Sequence, residues 1–146
     1  MLVEIHLAVP GDAALFDRLA PEIFDRPLRP EALAEVLACP RHHLAFARMG
    51  SSLVGIGLGV HHLLPDGPAE LWIADLRVTP MMRRQGVGRR LLQKLLHRAA
   101  VLDCHEARVV ARGPSARAFY AREGGQPDRH VAELFRFVLT HDRGQG

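Results

Sequence analysis

The feature that most constrains the fold is a central segment, "DLRVTPMMRRQGVGRRLLQKLL", which runs from Asp75 to Leu96. An apolar run ends at a proline, a turn rich in glycine and arginine follows, and a leucine-rich stretch with helical spacing comes last. This order predicts a strand, a tight turn and a helix in direct succession. Because a helix N-terminus has unpaired amides and a partial positive charge, the junction favours an anion, most commonly a phosphate.

The composition of the turn strengthens the prediction of an anion site. Gly86 and Gly88 remove side chains where a ligand would approach the backbone, and four arginines supply positive charge suited to phosphate oxygens: Arg83, Arg84, Arg89 and Arg90. Two familiar phosphate motifs are absent, since no Lys-Ser or Lys-Thr pair follows the glycines and position 91 is Leu rather than Gly. The alternative for the isolated segment is a basic, solvated loop.

The remaining sequence predicts an α/β protein. Helical patterns follow Asp12, begin again at Pro30 and end at Pro40, run from about Gly86 to Leu102, and extend from Pro114 to Gly124. Strand patterns occupy residues 3–9, 43–49, 52–64, 69–78, 106–112 and 131–139. The order β-α-α-β-β-β-α-β-α-β predicts a mixed, mostly antiparallel sheet with helices on both faces, and it fits the doubly wound dinucleotide fold poorly. Three glycines in the third strand predict a bulge or a close backbone neighbour.

Length and composition set the class of protein. The chain has 146 residues, 48% hydrophobic and 24% charged, with a formal net charge of +3. These values predict one globular domain, residues 1–146, with 140–146 as a loose tail. No apolar run reaches about 18 residues, and the N-terminus has no basic segment followed by a long apolar one, so we expect a cytoplasmic protein without a membrane partner.

Several ligand classes are not supported by the sequence. Cys39 and Cys104 form no C-x-x-C pair and suit small core residues in a reducing compartment. The nine histidines include two adjacent pairs but no metal-ligand spacing, so we expect no metal. No aromatic residues alternate with the basic ones in the manner of RNA-binding strands, so we expect no nucleic-acid partner.

The segment Arg83–Gly88, "RRQGVG", resembles the R/Q-x-x-G-x-G/A motif of the GNAT acetyltransferases, and it lies between a strand ending "V-x-P" and a Leu-rich helix, as in that family. The resemblance implies acetyl-CoA as cosubstrate. It implies that the pyrophosphate contacts come from Arg83, Arg84, Gln85, Gly86, Val87 and Gly88, with Arg89 adding charge. It also implies that the backbone of Leu76, Arg77 and Val78 pairs with the pantetheine arm as if with a strand. Within the family, the stretch from Ala69 most resembles the aminoglycoside 3-N-acetyltransferases.

A second landmark is the short helix "ARAFYAREGG", which resembles the family's A-x-x-x-Y-x-x-x-G segment at Ala116, Tyr120 and Gly124. Two positions depart from the family pattern. Gly113 stands where an Asn is usual, and Gly125 where an aromatic residue is usual. Tyr120, the only tyrosine, is implied by the resemblance to be the general acid for the departing thiolate, a role that a phenol with a pKa of about 10 can fill. Core packing is the alternative.

Acetyl transfer to an amine requires a neutral amine, and a free alkylammonium has a pKa of about 10. Asp75 is the first candidate base or substrate-binding group, because it lies within the apolar run "LWIADLRV". The alternative is a structural carboxylate paired with an arginine such as Arg77 or Arg112. Glu70 is the second candidate. Strand geometry places it on the opposite face from Asp75 unless a bulge intervenes, and an exposed strand-start residue is its alternative.

The resemblance therefore implies an acetyl-CoA-dependent N-acetyltransferase that acts on a primary amine by direct attack in a ternary complex. A small molecule, aminoglycoside-like or otherwise, is the expected acceptor. A protein N-terminus or lysine is one alternative, and an acyl-CoA-binding module with little turnover is another. A homodimer is expected, with the alternating segment "VAELFRFVL" as a strand suited to pairing with a second copy.

Overall fold

A computed structural model describes residues 2–130 and 132–140. The strands are β1 (Val3–Leu7), β2 (His42–Met49), β3 (Ser52–Leu64), β4 (Gly67–Val78) and β5 (Glu106–Val109). The α-helices are α1 (Pro30–Ala38), α2 (Val87–Val101) and α3 (Pro114–Arg122), and two 3₁₀ helices cover Pro10–Arg18 and Pro80–Met82. The chain divides into two compact units, residues 1–110 and residues 111–146.

The five strands of the described residues form one sheet in the order β1-β2-β3-β4-β5. Pairing is antiparallel throughout except between β4 and β5, which are parallel. The β2–β3 hairpin turns at Gly50, whose left-handed φ of 62° glycine adopts readily. The predicted mixed, mostly antiparallel α/β fold is confirmed.

Helix α2 packs closely against one face of the sheet because β3 presents glycines there. A Cβ atom on Gly55 would lie 3.0 Å from a Leu91 methyl group, and one on Gly57 would lie 3.0 Å from a Leu95 methyl group. Leu91 and Leu95 are both fully buried. The glycines thus serve as the contact surface for α2, and the predicted close neighbour is confirmed.

The opposite face of the sheet is covered by the 3₁₀ helix Pro10–Arg18, by α1 and by the segment between them. Its buried centre contains Phe16 and Ile23 from that layer, and Phe46 and Ile56 from the strands. The rings of Phe16 and Phe46 meet edge to face with centroids 5.9 Å apart. Helices therefore lie on both faces of the sheet, as predicted.

A bulge in β4 decides which side chains share a face. Leu58 pairs with Asp75, but its neighbour Gly59 pairs with Ile73, so Ala74 is an extra residue in β4. Leu58 and Gly59 are adjacent in β3 and therefore belong to opposite faces of the sheet. Their partners in β4, Asp75 and Ile73, must then lie on opposite faces as well. Asp75 therefore lies on the same face as Glu70, opposite Ile73, and both predicted carboxylates point the same way.

Two predicted elements are wrong in detail. The first helix is a 3₁₀ helix that begins at Pro10, and Asp12 lies inside it, where its carboxylate accepts a hydrogen bond from the Val9 amide at 2.9 Å.

The predicted last strand is absent over residues 132–140, because period-2 alternation supplies a suitable surface but no hydrogen-bonding partner. Large apolar side chains of this segment are exposed, Phe137 by 84%. Val131 and the predicted tail beyond Thr140 lie outside the described residues.

Candidate active site

The glycine–arginine turn enters α2 with unusual backbone geometry. Gly86 caps the helix with a left-handed φ of 80°, and Arg84 is also left-handed with a φ of 62°. A left-handed conformation in a non-glycine residue costs about 1–2 kcal/mol, and such strain collects at ligand sites. The amide of Arg90 bonds to the Gly86 carbonyl at 3.1 Å, so the amides of the first helical turn before it have no partner within the helix. Successive backbone amides at a left-handed turn are a geometry that can bind an anion.

The polar side chains of the turn divide into two groups. Arg83 donates to the Val78 carbonyl at 3.3 Å and Gln85 donates to the Met81 carbonyl at 3.1 Å, which ties the turn to the end of β4. Arg90 donates to the Val3 carbonyl of β1 at 2.8 Å. Arg90 therefore fastens α2 to the sheet and is not oriented as the expected phosphate contact. The side chains of Arg84 and Arg89 are exposed, as are those of Arg83 and Gln85 despite their hydrogen bonds.

Strand β4 continues past the end of its pairing with β5 before it reaches the turn. It pairs with β3 as far as Val78, but its pairing with β5 covers only Glu70 to Ile73. The backbone of Leu76, Arg77 and Val78 thus continues past the end of the β5 ladder. An extended ligand laid along this edge would meet backbone donors and acceptors, as in strand addition.

Asp75 is paired with Arg77, the structural arrangement that sequence reasoning left open. The Arg77 Nε atom lies 2.8 Å from Asp75 Oδ1, and both side chains are about one-third exposed. The pKa of Arg77 is raised, first by the hydrogen bond to Asp75 and further by the nearby charges of Asp75 and Asp25. The carboxylate of Asp75 is thus held in one orientation on the sheet face that carries Glu70.

Glu70 is not the exposed strand-start residue that was one prediction. Its side chain is only 16% exposed, and its Oε1 lies 3.5 Å from Arg108 Nε on β5. Arg108 also bonds to Glu106 at 3.1 Å and lies over the Trp72 ring at 6.0 Å. The Trp72 indole donates to Nδ1 of His62 at 3.2 Å, so a histidine of β3 joins the same cluster.

Tyr120 lies in the second unit, on α3, half-buried and with its ring 5.1 Å from that of Phe119 in an edge-to-face contact. The two departures from the family pattern have backbone reasons. Gly113 begins α3 with a φ of 94°, which favours glycine. A Cβ atom on Gly125 would lie 2.9 Å from the Tyr120 carbonyl oxygen, which accepts the Gly125 amide, so an aromatic side chain does not fit there.

Sequence reasoning missed one part of this region, the segment of residues 19–29 between the 3₁₀ helix and α1. It lines a groove with mostly apolar walls, formed by Phe16, Leu19, Pro21, Phe24 and Leu28 among others. Arg77 donates to the Ile23 carbonyl at 3.1 Å and lies 3.4 Å from Asp25. The proline and arginine content of "PEIFDRPLRP" was the available signal, but a contact across 54 residues has no local signature.

Two further features bear on other classes of ligand and partner. Within residues 2–130 and 132–140, no group of three or more His, Cys, Asp or Glu side chains is placed to hold a metal ion. In the same part of the chain, no helix combines the length and apolar character needed to cross a membrane.

Comparison with known proteins assigns the family. The model of the acetyltransferase (GNAT) family matches residues 13–125. The N-alpha-acetyltransferase RimI of Mycobacterium tuberculosis is 35% identical over 96 residues, 64% of this chain and 60% of that protein, so the match spans about 60% of the relative's length.

Solved structures show the same fold. An aminoglycoside acetyltransferase from an uncultured soil metagenomic sample, in complex with sisomicin, has a TM-score of 0.81 and 18% identity over 94% of this chain and 97% of its own. The acetyltransferase AAC(6')-Iy, in complex with a bisubstrate analog of CoA and acetylneamine, has a TM-score of 0.76 and 14% identity over 94% and 100%. These structures share the fold, and the family match over residues 13–125 shows that the chain belongs to the GNAT family of acetyltransferases.

Proposed function

We propose that the protein transfers the acetyl group of acetyl-CoA to a primary amine of a small molecule, by direct attack in a ternary complex. The observation that carries the proposal is the left-handed glycine–arginine turn at the start of α2, placed beside the part of β4 that runs past β5. The turn suits a pyrophosphate, and the edge of β4 suits the extended pantetheine arm.

The donor-binding residues follow from this geometry. Backbone amides from Arg83 to Gly88 would hold the pyrophosphate, and the exposed arginines of the turn would add positive charge. The backbone of Leu76, Arg77 and Val78 would pair with the pantetheine arm. Acetyl-CoA supplies an activated acyl group, so the protein has to position it and to move protons.

Three further tasks fall to this chain's own groups. Asp75 is the first candidate to accept the amine proton, directly or through a water, and Glu70 is the second. A backbone amide at the end of β4 would donate to the carbonyl oxygen as negative charge develops there. Tyr120 would donate a proton to the departing thiolate.

A second candidate function is acetylation of a protein N-terminus. The similarity to the relative named N-alpha-acetyltransferase favours it, and so does the groove beside residues 19–29, whose walls are largely apolar. A polycationic aminoglycoside would bind better to a cluster of carboxylates. An acyl-CoA-binding module with little turnover is the third hypothesis. Its support was the departure from the family pattern at Gly113 and Gly125, and the backbone reasons for these two glycines weaken that support.

Steady-state release of free thiol, measured against a panel of amines, tests these functions. The panel contains aminoglycosides, polyamines, amino acids and peptides with free N-termini, with the same peptides blocked at the N-terminus as controls. Turnover of small amines supports the main proposal, and turnover of free but not blocked peptides supports the second. Tight acetyl-CoA binding without turnover of any amine would point to the binding module.

We also propose a cytoplasmic homodimer, formed through the C-terminal segment. Two cysteines free of disulfides suit a reducing compartment. The exposed apolar side chains of residues 132–140 would be covered by pairing with a second copy: Leu134, Phe135, Phe137, Val138 and Leu139. Light scattering after size-exclusion chromatography should give twice the chain mass, and a monomer at micromolar concentration would contradict it.

A further inference from the structure

The side chain of Arg77 joins two parts of the first unit, strand β4 and the segment of residues 19–29. Besides its 2.8 Å bond to Asp75 on β4, it donates to the Ile23 carbonyl at 3.1 Å and approaches the Asp25 carboxylate at 3.4 Å. Its guanidinium also lies over the Phe24 ring, 5.9 Å from the centroid. One planar group with five donors satisfies all of these contacts, which a single ammonium could not do.

The segment of residues 19–29 depends on few other polar contacts. Ala20 donates to the Leu53 carbonyl at 3.2 Å and Ile23 donates to the Ala20 carbonyl at 3.1 Å. The side chain of Ile23 is an apolar anchor with 2% exposure. Between Ile23 and the start of α1, Phe24 and Leu28 pack against the buried cluster, and Arg77 supplies the polar contacts to the sheet. We therefore expect Arg77 to help set where the Phe24–Leu28 side of the groove lies.

The charges around Arg77 explain why loss of its guanidinium should weaken the link between β4 and residues 19–29. Arg77 stands between Asp75 on β4 and Asp25 on the segment, and both carboxylates contact it. Without the guanidinium, two negative groups would remain on the two sides of the link and would favour separation of the segment from the strand. Asp75 would also lose the partner that orients its carboxylate.

We propose that Arg77 is a positioning residue that clamps residues 19–29 against β4 and aims the Asp75 carboxylate, so that its side chain determines binding of the amine acceptor and not of acetyl-CoA. The inference rests on the proposed function, because it assigns the groove and Asp75 to the acceptor. It separates two roles of one residue: the backbone of Arg77 belongs to the donor edge of β4, and its side chain serves the acceptor side.

The test compares Arg77→Met, Arg77→Lys and Asp25→Asn with a control, Arg48→Met, whose guanidinium makes a single bond of 2.8 Å to Gly50 O in the β2–β3 hairpin. For Arg77→Met we expect the KM of the best amine in the panel to rise at least tenfold, with the KM of acetyl-CoA changed less than twofold. Arg77→Lys should recover part of the loss, since it restores charge but not the planar donor set. Asp25→Asn, at an exposed position, should raise the amine KM about two- to fivefold.

Hydrogen exchange supplies a readout that does not need turnover. The hydrogen-bonded amides of Ala20 and Ile23 should exchange at least tenfold faster in Arg77→Met, while those of β2 and β3 keep their rates, which also shows that the variant is folded. Unchanged exchange of the Ala20 and Ile23 amides would overturn the clamp. Equal increases in the KM of amine and of acetyl-CoA, or no increase in either, would overturn the acceptor role. Failure of every amine to react would refute the proposed function and with it the acceptor role, whereas the exchange data would still decide whether the clamp exists.

Discussion

At the scale of single residues, the catalytic hypotheses depend on where two carboxylates and one phenol lie. Asp75 is held by Arg77, and Glu70 lies near Arg108 and is mostly buried. Each candidate base thus has an arginine neighbour on the same sheet. Tyr120 is half-buried on α3 and in ring contact with Phe119. Substitutions that preserve shape can distinguish these roles.

Asp75→Asn should lower kcat by about 10²-fold, a typical contribution from a general base. The amide keeps the size of the side chain but cannot accept the amine proton. Steady-state rates with the best amine of the panel provide the measurement. Glu70→Gln is the matched control. If Glu70→Gln lost the activity and Asp75→Asn kept it, the order of the two candidates would be reversed.

Tyr120→Phe should lower kcat by about 10²-fold with little effect on the KM of acetyl-CoA, because only the proton donor for the thiolate is removed. Phenylalanine preserves the ring contact with Phe119, so stability should change little. Single-turnover and steady-state rates of thiol release provide the measurement. A variant with full turnover would leave Tyr120 with a packing role only.

At the scale of elements, glycines decide how the helix and the turn fit the sheet. Gly55 and Gly57 make room for α2, and Gly86 adopts the left-handed backbone conformation at the N-cap of the same helix. The predicted tight turn and the predicted close neighbour of β3 therefore act together. They place the first turn of α2 at the end of β4, where the candidate donor site lies.

Gly57→Val should destabilise the fold by about 1–3 kcal/mol, because the new side chain would meet Leu95 and Leu76 at 3.0–3.3 Å. The free energy of unfolding is measured by urea denaturation. Gly67→Val is the control, since a Cβ atom at Gly67 meets nothing within 4 Å. Equal stability of the two variants would contradict the close packing of α2.

Gly86→Ala should weaken acetyl-CoA binding about tenfold, because a residue with a side chain resists the φ of 80° by about 1–2 kcal/mol and would shift the first amides of α2. Titration calorimetry measures the Kd. Gly11→Ala, at a position with open space and no left-handed backbone, should bind as tightly as the parent. Undiminished binding by Gly86→Ala would argue against a donor site at this turn.

At the scale of the whole molecule, a buried histidine links stability to pH. His43 lies on β2 against α2, 8% exposed, and accepts a hydrogen bond from Arg98 at 3.2 Å. Burial lowers the pKa of His43 from its usual 6.5, and the charge of Arg98 and the neighbouring His61 and His42 lower it further. The folded state therefore binds fewer protons at this site than the unfolded state does at mildly acidic pH.

The free energy of unfolding should therefore be constant above about pH 6.5 as far as His43 is concerned, and should fall as pH decreases below that value toward the lowered pKa of the folded state. His43→Gln, which keeps an acceptor for Arg98 but does not titrate, should show a shallower decline. Urea denaturation at pH 5 to 8 measures this, with His105→Gln at an exposed position as control. An identical decline in parent and His43→Gln would exclude His43 as the cause.

The sequence by itself determined the features that depend on near neighbours. The strand–turn–helix at Asp75–Leu96, the hairpin at Gly50 and the proline-bounded α1 each arise from local backbone preferences, so local patterns were sufficient. The glycines of β3 indicated a bulge or a close neighbour, and both are present, in β4 and in α2.

Only the tertiary structure decided what depends on partners distant in the chain. The position of the bulge at Ala74 put Asp75 on the face of Glu70, and folding brought Arg77 to Ile23 and Asp25 across about fifty residues. The segment 132–140 has the alternation of a strand but adopts none, because a strand exists only when another backbone supplies its hydrogen bonds. Local preference selects a backbone conformation, whereas side-chain partners and strand pairing are properties of the assembled fold.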